Sequence, residues 1–122
     1  MFEKILKMSL LYDFYGQLLT KKQQQVLGLY YNDDLSLGEI SEQLKVSRQA
    51  VYDTIKRSEK LLFEYEEKLK LLHKFMITKK QIEEILNIVE DIENNEHGTK
   101  DMNYFLEELK KIKRISYDLL EK

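Results

Sequence analysis

The chain has 122 residues, neither cysteine nor proline, and 20 basic against 22 acidic side chains, for a formal net charge of -2. This length suits one domain with or without an extension, and the absence of cysteine excludes disulfides and thiolate metal sites and fits a reducing cytoplasm. The near-neutral charge excludes a strongly basic nucleic-acid binder, so any contact with a duplex must come from a local patch.

The first predicted helix spans Phe2 to Leu19, and apolar side chains cover most of its circumference. They are Phe2, Ile5, Leu6, Met8, Leu10, Leu11, Tyr12, Phe14, Tyr15, Leu18 and Leu19. A helix that is apolar nearly all round is buried on more than one side, so either a partner subunit or the C-terminal half of the same chain must cover part of it. Because Glu3, Lys4 and Lys7 interrupt the apolar residues, this is neither a signal peptide nor a membrane span, and no membrane partner is expected.

Two capping boxes predict the next two helices. Thr20 is followed three residues later by Gln23, and Ser36 is followed by Glu39. In such a box each side chain bonds the backbone N–H of the other residue at the start of a helix. The polar run 32–34 between them predicts a turn.

The stretch from Leu35 to Leu62 has the pattern of a helix-turn-helix. A short helix ends near Lys45-Val46, and Ser47 can cap a second helix that begins Ser-Arg-Gln. An apolar stripe with alternating gaps of four and three residues then predicts one long helix from Arg48 to about Met76. The stripe is Val51, Ile55, Ser58, Leu62, Tyr65, Leu69, Leu72 and Met76.

The last third of the chain is predicted to be a helical hairpin. Thr78 and Gln81 are spaced as another capping box, residues 94–98 read as a loop, and Thr99 can cap a final helix with Asp101 in its first turn. We therefore predict an all-α fold with a tri-helical helix-turn-helix unit, a long recognition helix and a C-terminal antiparallel helical hairpin. Residues 1–76 and 77–122 would form a single structural domain, with the hairpin packed on the long helix.

A helical projection of the fourth helix separates two groups of candidate site residues. Those in the first turns, where base edges are usually reached, are Arg48, Gln49, Tyr52 and Asp53. Those placed to contact phosphates are Lys45, Ser47, Lys56, Arg57 and Lys60. The alternative is an ordinary solvated helix face, but the turn, the caps and the Ser-Arg-Gln start favour nucleic-acid binding.

Catalytic, metal and cofactor motifs are not found in the sequence, so no enzyme activity and no cofactor are expected. The two histidines, His73 and His97, are far apart. We predict that His73 is a partly buried packing residue and that His97 lies in a solvated loop.

Three segments resemble the YlxM family of small bacterial helix-turn-helix proteins. They are LYDFYGQLLT, LYYNDDLSLGEI and VSRQAVYDTIKR. The resemblance covers about the first 75 residues, and a more distant similarity links the same region to region 4 of sigma factors. The resemblance to the YlxM family implies that the two helices of the motif span residues 36–44 and 47–60. It also implies a DNA-binding regulatory role and an association with the signal recognition particle.

Two functions follow as expectations. The first is a cytoplasmic regulator that binds double-stranded DNA as a homodimer. The two subunits would contact each other through either the N-terminal helix or the apolar stripe of the fourth helix. The second is an interaction scaffold that binds a protein or RNA component of the signal recognition particle without reading DNA sequence. The acidic second half of the chain favours the second function.

Overall fold

The computed structural model describes residues 2–94 and 101–121, and every regular element within them is a helix, as predicted. The α-helices are α1 (Phe2–Tyr15), α2 (Lys21–Leu27), α3 (Leu37–Leu44), α4 (Arg48–Leu69), α5 (Leu71–Glu93) and α6 (Met102–Leu120). A 3₁₀ helix at Gly16–Leu18 follows α1, and a π-helix at Gly28–Asn32 continues α2. Two compact units divide the chain, Met1–His73 and Lys74–Lys122. The packing of the C-terminal hairpin on α4 stays a prediction.

The first unit is built around α4, against which α1, α2 and α3 all pack. Its buried apolar side chains are Met8, Leu11, Tyr15, Leu19, Val26, Leu27, Ile40, Val51, Ile55, Leu62 and Leu72. The α4 stripe is therefore buried inside this unit as far as Leu62, whereas Leu69 and Met76 remain about half exposed. The first four members of the stripe pack within the chain.

Three short polar side chains begin the helices where the sequence predicts. Thr20 and Ser36 each form a complete capping box, with Gln23 and Glu39 respectively. The Ser47 hydroxyl accepts the backbone N–H of Ala50 at the start of α4. These caps satisfy N–H groups that have no partner inside their own helices.

The first helix is shorter than predicted. It ends at Tyr15 instead of Leu19, because Gly16 opens a tighter 3₁₀ turn and Leu19 is extended ahead of the Thr20 cap. Ile5, Leu6 and Leu18 are each more than half exposed. The unit buries only one side of α1.

The prediction of one helix from Arg48 to Met76 is wrong. α4 ends at Leu69, Lys70 adopts the left-handed conformation (φ 58°), and α5 begins at Leu71, so Thr78 lies inside α5 and does not cap a helix. Neither glycine nor proline marks the break. Side chains from earlier in the chain stabilise it.

Glu66 and Tyr15 cap the new helix. One Glu66 carboxylate oxygen accepts the Tyr15 hydroxyl at 2.5 Å and the Leu72 N–H at 3.0 Å, and the other accepts the His73 N–H at 3.0 Å. The Tyr15 hydroxyl oxygen in turn accepts the Leu71 N–H at 3.0 Å. Three N–H groups of the first turn of α5 thereby gain partners. His73 is exposed in this turn, which corrects its prediction as a packing residue.

In the second unit α5 and α6 form the predicted antiparallel hairpin. The Gln81 amide donates to the Asp118 carboxylate at 2.6 Å, which places the N-terminal part of α5 beside the C-terminal part of α6. Asp101 is the N-cap of α6 and accepts the Tyr104 N–H, so it lies before the first turn and not within it. The predicted cap Thr99 and most of the predicted loop lie outside the described residues.

Candidate nucleic-acid interface

The tight turn between α3 and α4 fixes the direction of the candidate recognition helix. Lys45 ends α3 in the left-handed conformation, and the Val46 N–H bonds the Ser41 carbonyl at 3.1 Å. Val51 and Ile55 on α4 are buried. The opposite side of the first α4 turns consequently faces outward.

Arg48 lies against α3. Its guanidinium packs so closely over Gly38 that a Cβ on that glycine would meet the Arg48 Nη2 at 3.0 Å. The Arg48 residue as a whole is still exposed. Gly38 thus gives the guanidinium room at the junction of the two helices.

Gln49 and Asp53, two predicted base-reading residues, bond each other. The Gln49 amide donates to the Asp53 carboxylate at 2.9 Å along one helical turn. One donor of Gln49 is therefore engaged in this structure. The Asp53 carboxylate places a negative charge beside the candidate base-reading residues.

Lys56 and Tyr52 belong to a cluster that reaches into the unit. The Lys56 ammonium lies 5.5 Å from the centre of the Tyr52 ring and 3.6 Å from the Glu59 carboxylate. Glu59 is buried and accepts the Tyr31 hydroxyl. Burial and this hydrogen bond raise the pKa of Tyr31 well above its ordinary value, so it remains a donor. Glu59 offsets part of the Lys56 charge that a phosphate would meet.

The other predicted phosphate contacts are exposed. Arg57 and Lys60 lie on the outer side of α4, and Lys45 and Ser47 lie in the turn. Within residues 2–94 and 101–121, the ion pairs are Lys56–Glu59, Lys110–Glu107 and Lys111–Glu108. Arg57, Lys60 and Lys45 are in none of them, so their charges are better placed than that of Lys56 to meet phosphate oxygens.

The sequence reasoning missed three residues of this surface. Ala50 is exposed in the first turn of α4, where its methyl group can contact a thymine methyl. Its position three residues after Ser47 is the signal that could have found it. Glu59 could have been found from its i,i+3 spacing to Lys56, whereas no local pattern marks the contact of Gly38 with Arg48 on the next helix.

The described residues offer little support for other site chemistry. A groove of about 220 Å³ beside α4 is lined by side chains that include Lys4, Tyr31 and Glu59. Over residues 2–94 and 101–121, there is no group of three or more metal-ligating side chains placed to hold an ion. None of the helices there is long and apolar enough to cross a membrane.

The comparisons with known proteins agree with this geometry. The family model described as "Putative helix-turn-helix protein, YlxM / p13 like" matches residues 2–113. UPF0122 proteins of Bacillus cereus strain AH187, Bacillus anthracis strain A0248 and Bacillus thuringiensis subsp. konkukian strain 97-27 are each 47% identical over 112 residues, which cover 92% of this chain and 99% of each relative. The chain belongs to the UPF0122 family of helix-turn-helix proteins, and the predicted resemblance to YlxM is confirmed.

Proposed function

We propose that this protein is a cytoplasmic, non-enzymatic regulator that binds double-stranded DNA as a homodimer, with the first turns of α4 in the major groove. The observation that carries the proposal is the Ser47-capped start of α4. Its inner side is fixed by buried Val51 and Ile55, and its outer side presents exposed Arg48 and Gln49. Membership of a helix-turn-helix family supports this reading.

Different side chains on the outer side of α4 would contact bases and phosphates. Arg48 can pair with guanine and Gln49 with adenine, each through two hydrogen bonds. Gln49 must first release Asp53, which otherwise holds one of its amide donors. Phosphate contacts from Arg57 and Lys60 would orient α4 in the groove without reading bases.

Selection from a random duplex pool tests the proposal. The wild-type protein should enrich one motif, and Arg48→Ala with Gln49→Ala should lower affinity for that motif at least about 30-fold, because two base contacts are lost and each contributes about 1–3 kcal/mol of discrimination. Binding to unrelated duplexes should change little. The matched control is Lys22→Ala with Gln25→Ala, which removes one positive charge and one side-chain amide at exposed positions of α2. Failure to enrich any motif would contradict sequence reading.

The negative charge of the Asp53 carboxylate should weaken DNA binding, because it repels the phosphates of the duplex. We expect Asp53→Asn to raise affinity for all duplexes about 3- to 10-fold at low salt, with less gain at high salt, since screening weakens charge repulsion. Asparagine keeps the size of the side chain and an acceptor for Gln49, so this variant isolates the charge. Asp53→Ala also removes the acceptor and shows the additional effect of releasing Gln49. Unchanged affinity in both variants would place Asp53 away from the duplex.

A second candidate function is a scaffold that binds a protein or RNA component of the signal recognition particle. The mixed charge of α4 favours it, because Glu59 and Asp53 offset cations on the same surface. Titration of the purified protein with signal recognition particle RNA and with its protein component at physiological salt tests this function. Binding to either component with no enriched DNA motif would replace the first function by the second.

A further inference from the structure

The second unit has no buried side chain within its described residues. α6 contains none, and the one buried residue of α5 is Leu72, which belongs to the first unit. Yet both helices carry large apolar side chains with about half or more of their surface exposed, such as Phe75, Leu86 and Leu109. An apolar helix face of this kind is stable in water when another surface covers it.

The uncovered apolar surface is continuous along α6. A groove of about 380 Å³ is lined by Leu109, Ile112, Lys113, Ser116, Tyr117 and Leu120. Their spacing places them on one face of the helix. Tyr117 is 60% exposed and Leu120 is 82% exposed. All the lining residues belong to α6, so this groove is an outer surface of the hairpin.

Charge is distributed unevenly along the hairpin. The described residues on either side of the connection between its helices, 90–94 and 101–108, contain six carboxylates and neither lysine nor arginine. Lys74, Lys79 and Lys80 lie at the opposite end, in the first half of α5. One hairpin is thus acidic at one end and more basic at the other. A second copy placed antiparallel brings each acidic end beside a basic end.

We propose that the α5–α6 hairpin is the homodimer surface, and that two copies pack antiparallel about a two-fold axis through their α6 grooves. The pairing buries the Leu109–Leu120 face of both copies in one isologous interface, and the four helices form a bundle. This proposal rests on the proposed function for the dimer, and it assigns that dimer to α6 in place of α1 or the α4 stripe.

Sedimentation of the full chain without DNA tests the surface. The wild-type protein should be a dimer at micromolar concentration, and Leu109→Glu with Tyr117→Glu should raise the dissociation constant at least 100-fold. Both side chains are exposed, so circular dichroism should report unchanged helix content. Leu6→Glu with Leu18→Glu makes the same type of change on α1 and its following turn and should leave the dimer intact. A wild-type monomer, or a dimer lost with the Leu6 and Leu18 pair, would overturn the proposal.

Disulfide trapping tests the antiparallel direction, because the chain has no native cysteine. Ser116 lies near the middle of the Leu109–Leu120 face, so Ser116→Cys should crosslink readily with its own copy. Met102 lies at the N-terminal end of α6, and two copies would be about 38 Å apart along this antiparallel pair. Rapid crosslinking of Met102→Cys with itself would overturn the antiparallel arrangement.

The dimer and DNA binding can fail separately. The Leu109 and Tyr117 variant should still bind a single half-site duplex with the affinity of one wild-type subunit. Loss of the dimer with retained half-site binding supports the hairpin surface. A wild-type dimer that binds no DNA refutes the proposed function and leaves the hairpin surface standing.

Discussion

Replacing Glu66 by alanine should destabilise the protein by about 2–4 kcal/mol, because three donors lose a carboxylate acceptor together. These donors are the Tyr15 hydroxyl and the backbone N–H groups of Leu72 and His73. Tyr15 is fully buried, so water cannot readily replace its lost partner. Urea unfolding followed by circular dichroism measures the change in the free energy of unfolding.

Two further variants test whether the loss of stability comes from the Glu66 cap. Glu67→Ala removes an exposed neighbouring carboxylate and should change stability by less than about 0.5 kcal/mol. Glu66→Gln keeps an acceptor without the charge and should give an intermediate loss. Equal stabilities of Glu66→Ala and Glu67→Ala would show that the cap contributes nothing.

The Glu66 cap should also make the free energy of unfolding depend on pH. Burial alone would raise the pKa of the Glu66 carboxyl, but the hydrogen bonds from Tyr15, Leu72 and His73 outweigh burial and hold it below its ordinary value. The stabilisation is therefore present above the pKa of the unfolded chain and is lost as the pH falls through the lower folded pKa. Wild type and Glu66→Gln should converge in stability under these acidic conditions. A constant difference from neutral to acidic pH would contradict this assignment.

Local chemistry made most of the first unit predictable. Thr20, Ser36 and Ser47 cap the helices that follow them, and each cap needs only residues three positions away. The break at Lys70 depends instead on Tyr15, which lies 51 positions before its partner Glu66. In the sequence Glu66 reads only as a surface carboxylate, so periodicity continues the α4 stripe through the break.

The outward side of α4 was predictable from helical projection, but the pairing of its side chains was only partly so. Gln49–Asp53 and Lys56–Glu59 follow ordinary i,i+4 and i,i+3 spacing and could have been anticipated. The contact of Arg48 with Gly38 depends on the angle between α3 and α4. The sequence could not give that angle, and the role of Arg48 at DNA stays a prediction.

Replacing Arg57 and Lys60 by alanine should weaken binding to every duplex, specific or not, because these charges would neutralise phosphates. For a dimer the pair removes four contacts, so the plot of log affinity against log salt should become less steep by about 3 to 4. Lys56→Ala should have a smaller effect per charge, because Glu59 and the Tyr52 ring already hold that ammonium. Fluorescence anisotropy titrations between low and physiological salt measure both slopes.

The decisive comparison holds net charge constant. Lys21→Ala with Lys22→Ala removes two exposed charges from α2, as the Arg57 and Lys60 pair does from α4. If phosphate contact is local to α4, the α2 pair should leave the salt slope nearly unchanged, since physiological salt largely screens charges that lie more than about 8 Å from the duplex. Equal loss of slope in both pairs would mean that overall charge drives binding. The outer side of α4 would then have no special role, and the scaffold function would gain support.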